Sequence, residues 1–206
     1  MDTLAQLFEG VPSSIISDSM RRIAGAYSLV PRHASGGLVG SAYTVKVRSG
    51  DNLYIHDALR KIKPGQVLVV DGEGHVDRAL VGEIMMSVAK MRGVAGFVIN
   101  GAIRDSDAFK THNFPCYSKG ITHIGPLKNG PGEQDIAVVI DGCVVNPGDI
   151  VVGDCDGVVF IPRAFAQEVA ALSRKKISVE TDVLAGIAKG VYDDAWITAA
   201  LDAQLV

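Results

Sequence analysis

The chain has 206 residues, 48% hydrophobic and 21% charged, with 20 basic against 23 acidic side chains and a net charge of -3, a length and balance suited to one soluble domain with a sizeable core. The small negative charge and the scatter of Lys and Arg argue against a nucleic-acid backbone as the main partner. No apolar run reaches the roughly 18 to 20 residues of a membrane span and Met1-Asp2-Thr3 lacks a basic signal start, so a cytoplasmic protein with no membrane partner is expected.

In chain order, residues 4–25 carry helical spacing: Leu4, Leu7 and Phe8, then, after Pro12, Ile15, Ile16, Met20 and Ile23. Ser13 is the expected N-cap, Gly25 the stop and Asp18 a solvated helix carboxylate. Gly36 to Val47 alternates small, apolar and polar residues, as a strand with one wet face does. Asp51 to Lys61 reads as a helix with Leu53, His56 and Leu59 on one face, and His56 as a packed, hydrogen-bonded side chain. An internal echo follows, PGQVLVVDGEG from Pro64 and PGDIVVGDCDG from Pro147. Each Pro-Gly suits a type II turn, and the two units are expected as related strand edges in a two-layer sheet assembly. Asp71, Glu73, Asp154 and Asp156 are read as caps on turn amides rather than metal ligands.

Val76 to Arg92 is the clearest amphipathic helix, with Leu80, Ile84, Val88 and Met91 as its stripe. Gly82 interrupts it. Either the glycine is tolerated, at about 1 kcal/mol relative to Ala, or the helix begins there and the free amides of Gly82 to Met85 offer a place for a carboxylate or phosphate.

Ala95 to Ile99 reads as a fully buried strand ended by the turn-forming pair Asn100-Gly101. Arg104 and Asp105 then stand side by side at the carboxyl end of that strand, the rim where open α/β sheets bind ligands, and chemistry is expected there. Phe114 to Pro126 adds a strand and loop, Ile136 to Val145 a hairpin turning at Asp141-Gly142, and Gly157 to Pro162 a buried strand. From Arg163 the chain is helical, through Phe165, Val169 and Leu172 and then Ile177 to Ile187, with Glu180 solvated by default. Cys116, Cys143 and Cys155 are isolated and odd in number, which argues for small buried side chains over a disulfide framework or zinc site. Neither G-x-G-x-x-G after a strand, nor G-x-x-x-x-G-K-[ST], nor G-x-S-x-G occurs.

Taken together, SDSM at Ser17, GSAYTV at Gly40, PGQVLVVDG, GEIM at Gly82, GAIRD at Gly101, NPGDIVVGDCDGVVFIP and the tail Glu180 resemble the RraA-like family, which includes the class II 4-hydroxy-4-methyl-2-oxoglutarate and 4-carboxy-4-hydroxy-2-oxoadipate aldolases. The resemblance spans nearly the whole chain. It implies an α/β fold of the swivelling β/β/α kind, like the phosphohistidine domains. A single domain, 1–206, would carry a C-terminal helical extension, 163–206, that contributes to the interface of a homotrimer or homohexamer. It further implies a divalent cation, magnesium with manganese as the alternative, ligated directly by Asp105 and through water by Glu83 and by Glu180 of a neighbouring subunit. Arg104 and the segment Gly82, Glu83, Ile84 and Met85 would bind the pyruvoyl end of a small 2-oxo acid, Ile84-Met85 replacing the family's more usual leucine pair.

That arrangement is chemically coherent. Magnesium keeps several waters, so one direct carboxylate with others behind it is expected, and Lewis acid and guanidinium together stabilise the enolate left by carbon-carbon cleavage. The same enolate forms when oxaloacetate loses carbon dioxide, so decarboxylase activity is expected beside aldolase activity. A Schiff-base route needs a lysine in an apolar pocket; Lys119, in SKGIT, is the candidate near the site. Two alternatives from the same scaffold are an RraA-type regulator that inhibits an RNA-degrading endonuclease, a shorter protein without the helical extension, and a lyase for another oxo acid.

Overall fold

The computed structural model describes residues 2–22 and 25–203; the expected helical position of Ile23 and the last three residues of the 163–206 extension lie outside the described residues. In chain order the elements are α1 (Thr3–Gln6), α2 (Ser13–Ser19), β1 (Val30–Pro31), β2 (Leu38–Val47), α3 (Leu53–Lys61), β3 (Gln66–Asp71), β4 (Ala79–Val81), α4 (Glu83–Met91), β5 (Gly96–Ile103) and α5 (Ser106–Thr111). They continue with β6 (Cys116–Ile121), β7 (Gly132–Gln134), β8 (Val138–Ile140), β9 (Cys143–Val145), β10 (Ile150–Asp154), β11 (Gly157–Ile161), a 3-10 turn at Arg163–Phe165, α6 (Ala166–Ile187) and α7 (Ala195–Asp202).

Among the described residues, nine strands form one mixed sheet in the order β1-β6-β5-β3-β2-β10-β11, with β4 added to β5 and β7 to β2. The Ala26 N–H donates to Val158 O at 2.7 Å, so the segment leading into β1 touches β11 and the sheet nearly closes into a barrel. Alternation decides the layers. Val67 and Val69 of β3 and Val98 of β5 point inward with Leu38, Tyr117 and Phe160, under the β8–β9 hairpin. Leu68, Val70, Phe97 and Ile99 point outward against α3, α4 and α5. A third cluster joins α1, α2 and α6 to Ile150, Val152, Val159 and Ile161. Strands covered on both faces read as continuous apolar runs, and here they do.

Several expectations are corrected. Residues 4–25 hold two short helices; α2 ends at Ser19, because Arg21 and Arg22 take left-handed φ of 60° and 62°. Ser13 is not the capping residue but the capped one, its N–H and hydroxyl each donating to Asp154 at 2.7 Å. Asp18 is not merely solvated: Lys176 Nζ lies 2.8 Å away and Arg22 Nε 3.2 Å, and these two hydrogen bonds hold its carboxyl below the ordinary range, Lys176 foremost. The two echo units are not sheet edges. β3 runs parallel and β10 antiparallel to β2 on its two sides, so they are the central strand's neighbours. Their acidic turns do cap amides, Asp71 that of Glu73 and Asp154 that of Asp156.

The buried stripe of α3 is Ile55, Ala58 and Leu59, while Leu53 is exposed; in α6 it is Ala166, Val169, Ala170 and Ser173, with Phe165 and Leu172 exposed. The 76–92 helix splits into β4 and α4, so Leu80 packs from a strand, and Met85, Met86 and Ala89 are buried in place of Ile84 and Met91. Cys116 alone of the three thiols is buried; Cys143 is half-buried and Cys155 exposed. Asn100-Gly101 does not end β5, which runs on to Ile103. β5 there exchanges one partner for another, pairing β3 as far as Asn100 and β4 from Ala102, with a register shift against β6 between Ile99 and Ala102.

Candidate active site

β4 and β5 run parallel, with Val81 beside Ile103, and end at one rim, where each passes directly into a helix. The Arg104 N–H donates to Val81 O at 3.0 Å, extending the ladder one step beyond the strand. Asp105 follows in the left-handed region at φ 54°, a conformation open to Asp, and starts α5. That helix is pinned by Phe109, buried against Phe97 and Phe114, whose rings lie 6.3 and 6.4 Å from it. On the other lane Gly82 flanks α4, whose first intrahelical bond is Met86 N–H to Gly82 O at 3.0 Å; the amides before it lack an intrahelical acceptor. Glu83 N–H is satisfied by Asp105 Oδ2 at 3.0 Å, and Arg104 Nε stands 3.6 Å from the same oxygen.

Gly82 is required sterically. A Cβ there would lie 2.5 Å from Asp105 Oδ2, 2.9 Å from Arg104 Cγ and 3.1 Å from Arg104 Nε. Its φ of -155° is ordinary extended backbone, so space and not strain selects glycine.

Arg104 divides two cavities. On one side is an open basin of about 500 Å³ walled by Glu83, Asp105, Asp107 and His123. On the other is a pocket of about 190 Å³ walled by Asn52, His56, Leu80, Gly82, Met85 and Lys128. The basin carries three carboxylates, whereas the pocket wall, among the described residues, has none and has Arg104 and Lys128 as cations. A hard cation is favoured in the first and an anion in the second.

The loop bearing Lys128 is held from beneath by Asp51, a residue 1% exposed, which accepts the N–H groups of Asn129 at 2.6 Å and Gly130 at 3.0 Å as well as Leu53 at 2.9 Å. Asn52 donates from Nδ2 to Leu80 O at 3.0 Å, tying α3 to β4 across the pocket floor. His56 sits in the wall; burial, and after it the charge of Lys128, push its pKa below the ordinary value and keep the imidazole neutral near pH 7.

The structure thus brings Arg104, Asp105, Glu83, Gly82, Ile84 and Met85 to one place, Ile84 exposed and Met85 buried. It does not bring Glu180 there within one chain: that side chain lies on α6, 3.7 Å from Lys176 Nζ. Lys119 lines neither cavity and faces Asp141 at 4.0 Å. Among the described residues, Asp154, Cys155 and Asp156 place three potential ligand atoms within 4.8 Å of one another, and Asp154 there is already occupied in capping α2. Asn52, Lys128 and the wall position of His56 are absent from the sequence reading. The signal for them was the adjacent pair Asp51-Asn52 ahead of α3, which the periodicity of that helix obscures.

The sequence profile of the RraA-like family, Aldolase/RraA, matches residues 13–160. The chain belongs to the RraA-like family. A relative in Halalkalibacterium halodurans, named "Putative 4-hydroxy-4-methyl-2-oxoglutarate aldolase", is 38% identical over 170 residues, 82% of this chain and 81% of the relative. An uncharacterized protein of Pseudomonas syringae pv. tomato superposes with a TM-score of 0.82 at 26% identity, over 91% of this chain and 93% of that one. The RNA-processing inhibitor RraA of Thermus thermophilis superposes with a TM-score of 0.68 at 28% identity, over 73% of this chain and 92% of its own. In this RraA-like chain no helix of the described residues is long and apolar enough to cross a membrane.

Proposed function

We propose that this RraA-like protein is a divalent-metal-dependent aldolase that releases pyruvate from a 4-hydroxy-2-oxo acid such as 4-hydroxy-4-methyl-2-oxoglutarate or 4-carboxy-4-hydroxy-2-oxoadipate. The observation that carries the reading is the position of Arg104, its guanidinium between a carboxylate-walled basin and an anion-favouring pocket. The aldolase name of the 38% identical relative supports the same reaction class.

The basin fits magnesium. Asp105 and Glu83 supply oxygen ligands, both are solvent-facing, and about 500 Å³ leaves room for the waters that magnesium retains. Asp105 would hold the ion directly and Glu83 through water, with Glu180 of a neighbouring subunit completing the set in a homotrimer or homohexamer. When bound, the cation supplies Lewis acidity toward the 2-oxo oxygen.

The chain's own residues do the rest. The amides of Ile84 and Met85, ahead of the first helical hydrogen bond, receive the substrate's C1 carboxylate. Arg104 donates to the oxygen on C2 and stabilises its charge as the C3–C4 bond breaks and the electron pair moves into the C2–C3 double bond. The C4 hydroxyl gives up its proton as C4 becomes a carbonyl, and a water held by Glu83 and Asp105 accepts it and later returns a proton to C3 of the pyruvate enolate. The same oxygen-stabilising arrangement serves the loss of carbon dioxide from oxaloacetate, so that activity belongs to the proposal.

The test is pyruvate release from 4-hydroxy-4-methyl-2-oxoglutarate with magnesium and with EDTA, for the parent and for Arg104→Ala and Asp105→Asn. Turnover is expected to stop with EDTA and in both variants while the circular dichroism spectrum is unchanged. Undiminished turnover in either variant overturns the site. The second reading, an inhibitor of RNA processing, is favoured by the likeness to the Thermus thermophilis protein, which leaves about a quarter of this chain unmatched; protein without pyruvate-forming activity that inhibits an RNA-degrading endonuclease would establish it instead.

A further inference from the structure

The pocket beside Arg104 does not end at His56. A second cavity of about 250 Å³ lies in the groove between α3 and α4 and shares His56, Ile84 and Met85 with it, so the two adjoin across one ridge. The polar groups added by the groove are two guanidinium ions, Arg60 on α3 and Arg92 at the end of α4, and among the described residues its wall includes no carboxylate. Neither arginine is consumed by its surroundings. Arg60 stands 3.5 Å from Asp57 Oδ1, but Asp57 is engaged by Lys61 at 2.5 Å and Gln134 at 2.9 Å, and the Arg60 side chain is 75% exposed. Arg92 gives one donor, Nη1, to Leu59 O, which fixes its guanidinium at the groove and leaves the rest of its five-donor fork to spare.

We infer that this groove is the subsite for an anionic arm on C4 of the substrate, so that Arg60 and Arg92 select 2-oxo acids carrying a further carboxylate beyond the one at C4. The inference rests on the aldolase reading, which places the pyruvoyl end at Arg104 and the α4 amides; with the C4 hydroxyl turned to the basin, the remaining C4 substituents would extend along the pocket toward His56 and the ridge. Charge complementarity commits it to an anion, and a guanidinium fork matches a carboxylate with two parallel hydrogen bonds. The neutral imidazole of His56 and the apolar edges of Ile84 and Met85 would line the passage without competing for it.

A matched pair of substrates isolates the arm. 4-Carboxy-4-hydroxy-2-oxoadipate and 4-hydroxy-4-methyl-2-oxoglutarate share the reacting end and the C4 carboxylate, and differ in carrying carboxymethyl or methyl on C4. The ratio of their kcat/KM values is expected to favour the carboxymethyl acid, to fall about fivefold in Arg60→Gln and further in Arg60→Gln/Arg92→Gln, the scale of exposed charge pairs, and to shrink with added salt. Turnover of the methyl acid and of oxaloacetate should be unchanged in Arg60→Gln. A ratio unmoved by Arg60→Gln overturns the inference and leaves the aldolase reading standing. Calorimetric binding of the two acids in EDTA reads the same discrimination without cleavage: unequal binding that Arg60→Gln abolishes supports the groove even if neither acid is cleaved, and equal binding to the parent protein overturns it.

Discussion

The sharpest perturbation available is Gly82→Ala, because it adds one methyl group where β4 passes into α4, directly against the Arg104-Asp105 pair. The new Cβ would stand 2.5 Å from Asp105 Oδ2, where ordinary contact begins at 3.4 Å, so the carboxylate must retreat by about 0.9 Å; Arg104 Cγ, at 2.9 Å, must retreat by about 0.5 Å. The atoms that yield belong to side chains 42% exposed, so they move into solvent and the core stays as it is. Stability is reduced chiefly through the charge-assisted bond from Glu83 N–H to Asp105, and part of about 1.5 to 3 kcal/mol is at stake. For a chain of this length the whole of it would be a fall in Tm of about 3 to 12 °C, and a partial loss proportionately less. Catalysis depends on position far more steeply, and a displacement near 1 Å lowers kcat by about 100-fold. Pyruvate release followed with lactate dehydrogenase, beside a calorimetric melt, reads both quantities. A variant within twofold of the parent rate would show that the carboxylate and guanidinium need not stand where Gly82 lets them, and the reasoning would fail at its base.

Two further tests address what holds the site and what completes it. Burial alone would raise the pKa of Asp51, but the N–H groups of Asn129, Leu53 and Gly130 outweigh it and hold the carboxyl below its ordinary 3.8; the folded state therefore binds that proton less readily than the unfolded one, and the stabilisation is complete above the unfolded value and lost as pH falls through it toward the lower folded value. Asp51→Asn should cost about 2 to 4 kcal/mol near neutrality and flatten this acid limb in urea melts, while a variant with the parent's acid profile would deny Asp51 its role. Glu180→Gln should lower kcat by about 10- to 100-fold, the scale for groups that orient metal-bound waters. Mixing that variant with Arg104→Ala should restore activity, since some shared sites then hold both native residues; no recovery on subunit exchange would remove Glu180 from the site.

The sequence was most legible where local chemistry and tertiary role agree. The apolar runs of β3, β5 and β11 are buried, the Asp141-Gly142 hairpin turns with left-handed φ of 48° and 82°, and the Arg104-Asp105 pair stands at a strand's carboxyl end. It misled where one residue type serves two purposes. Leu80 fits the helical stripe of Val76 to Arg92, yet three residues later the chain changes from strand to helix, and only the steric demand at Gly82 marks the point. Asp154 looks like a turn cap and is one, but it also caps α2 from 141 residues away, a pairing no local pattern encodes. The cavity walls were hidden for the same reason: Asn52 and Lys128 line one pocket because the Asp51 carboxylate and the backbone bonds Leu127 N–H to Gly50 O and Asn52 N–H to Leu127 O tie the two loops together.

Asn100-Gly101 shows how a local signal can be real and its meaning different. The pair marks a break, but what breaks is the partnership of β5 rather than the strand. β3 stops at Asp71 opposite Asn100, and the lane it vacates is taken by β4, so that Val81 comes beside Ile103 and Gly82 beside Asp105. Gly101 eases the exchange: a Cβ there would lie 2.8 Å from Leu80 Cδ1 and 3.2 Å from His75 O, so the Leu80 side chain of β4 and the loop before it would have to shift. Two glycines nineteen residues apart thus make room in turn, Gly101 for the Leu80 side chain of the strand that leads into Gly82, and Gly82 for the carboxylate that follows Arg104. The change of partner and register along β5 therefore brings the two halves of the site to one rim.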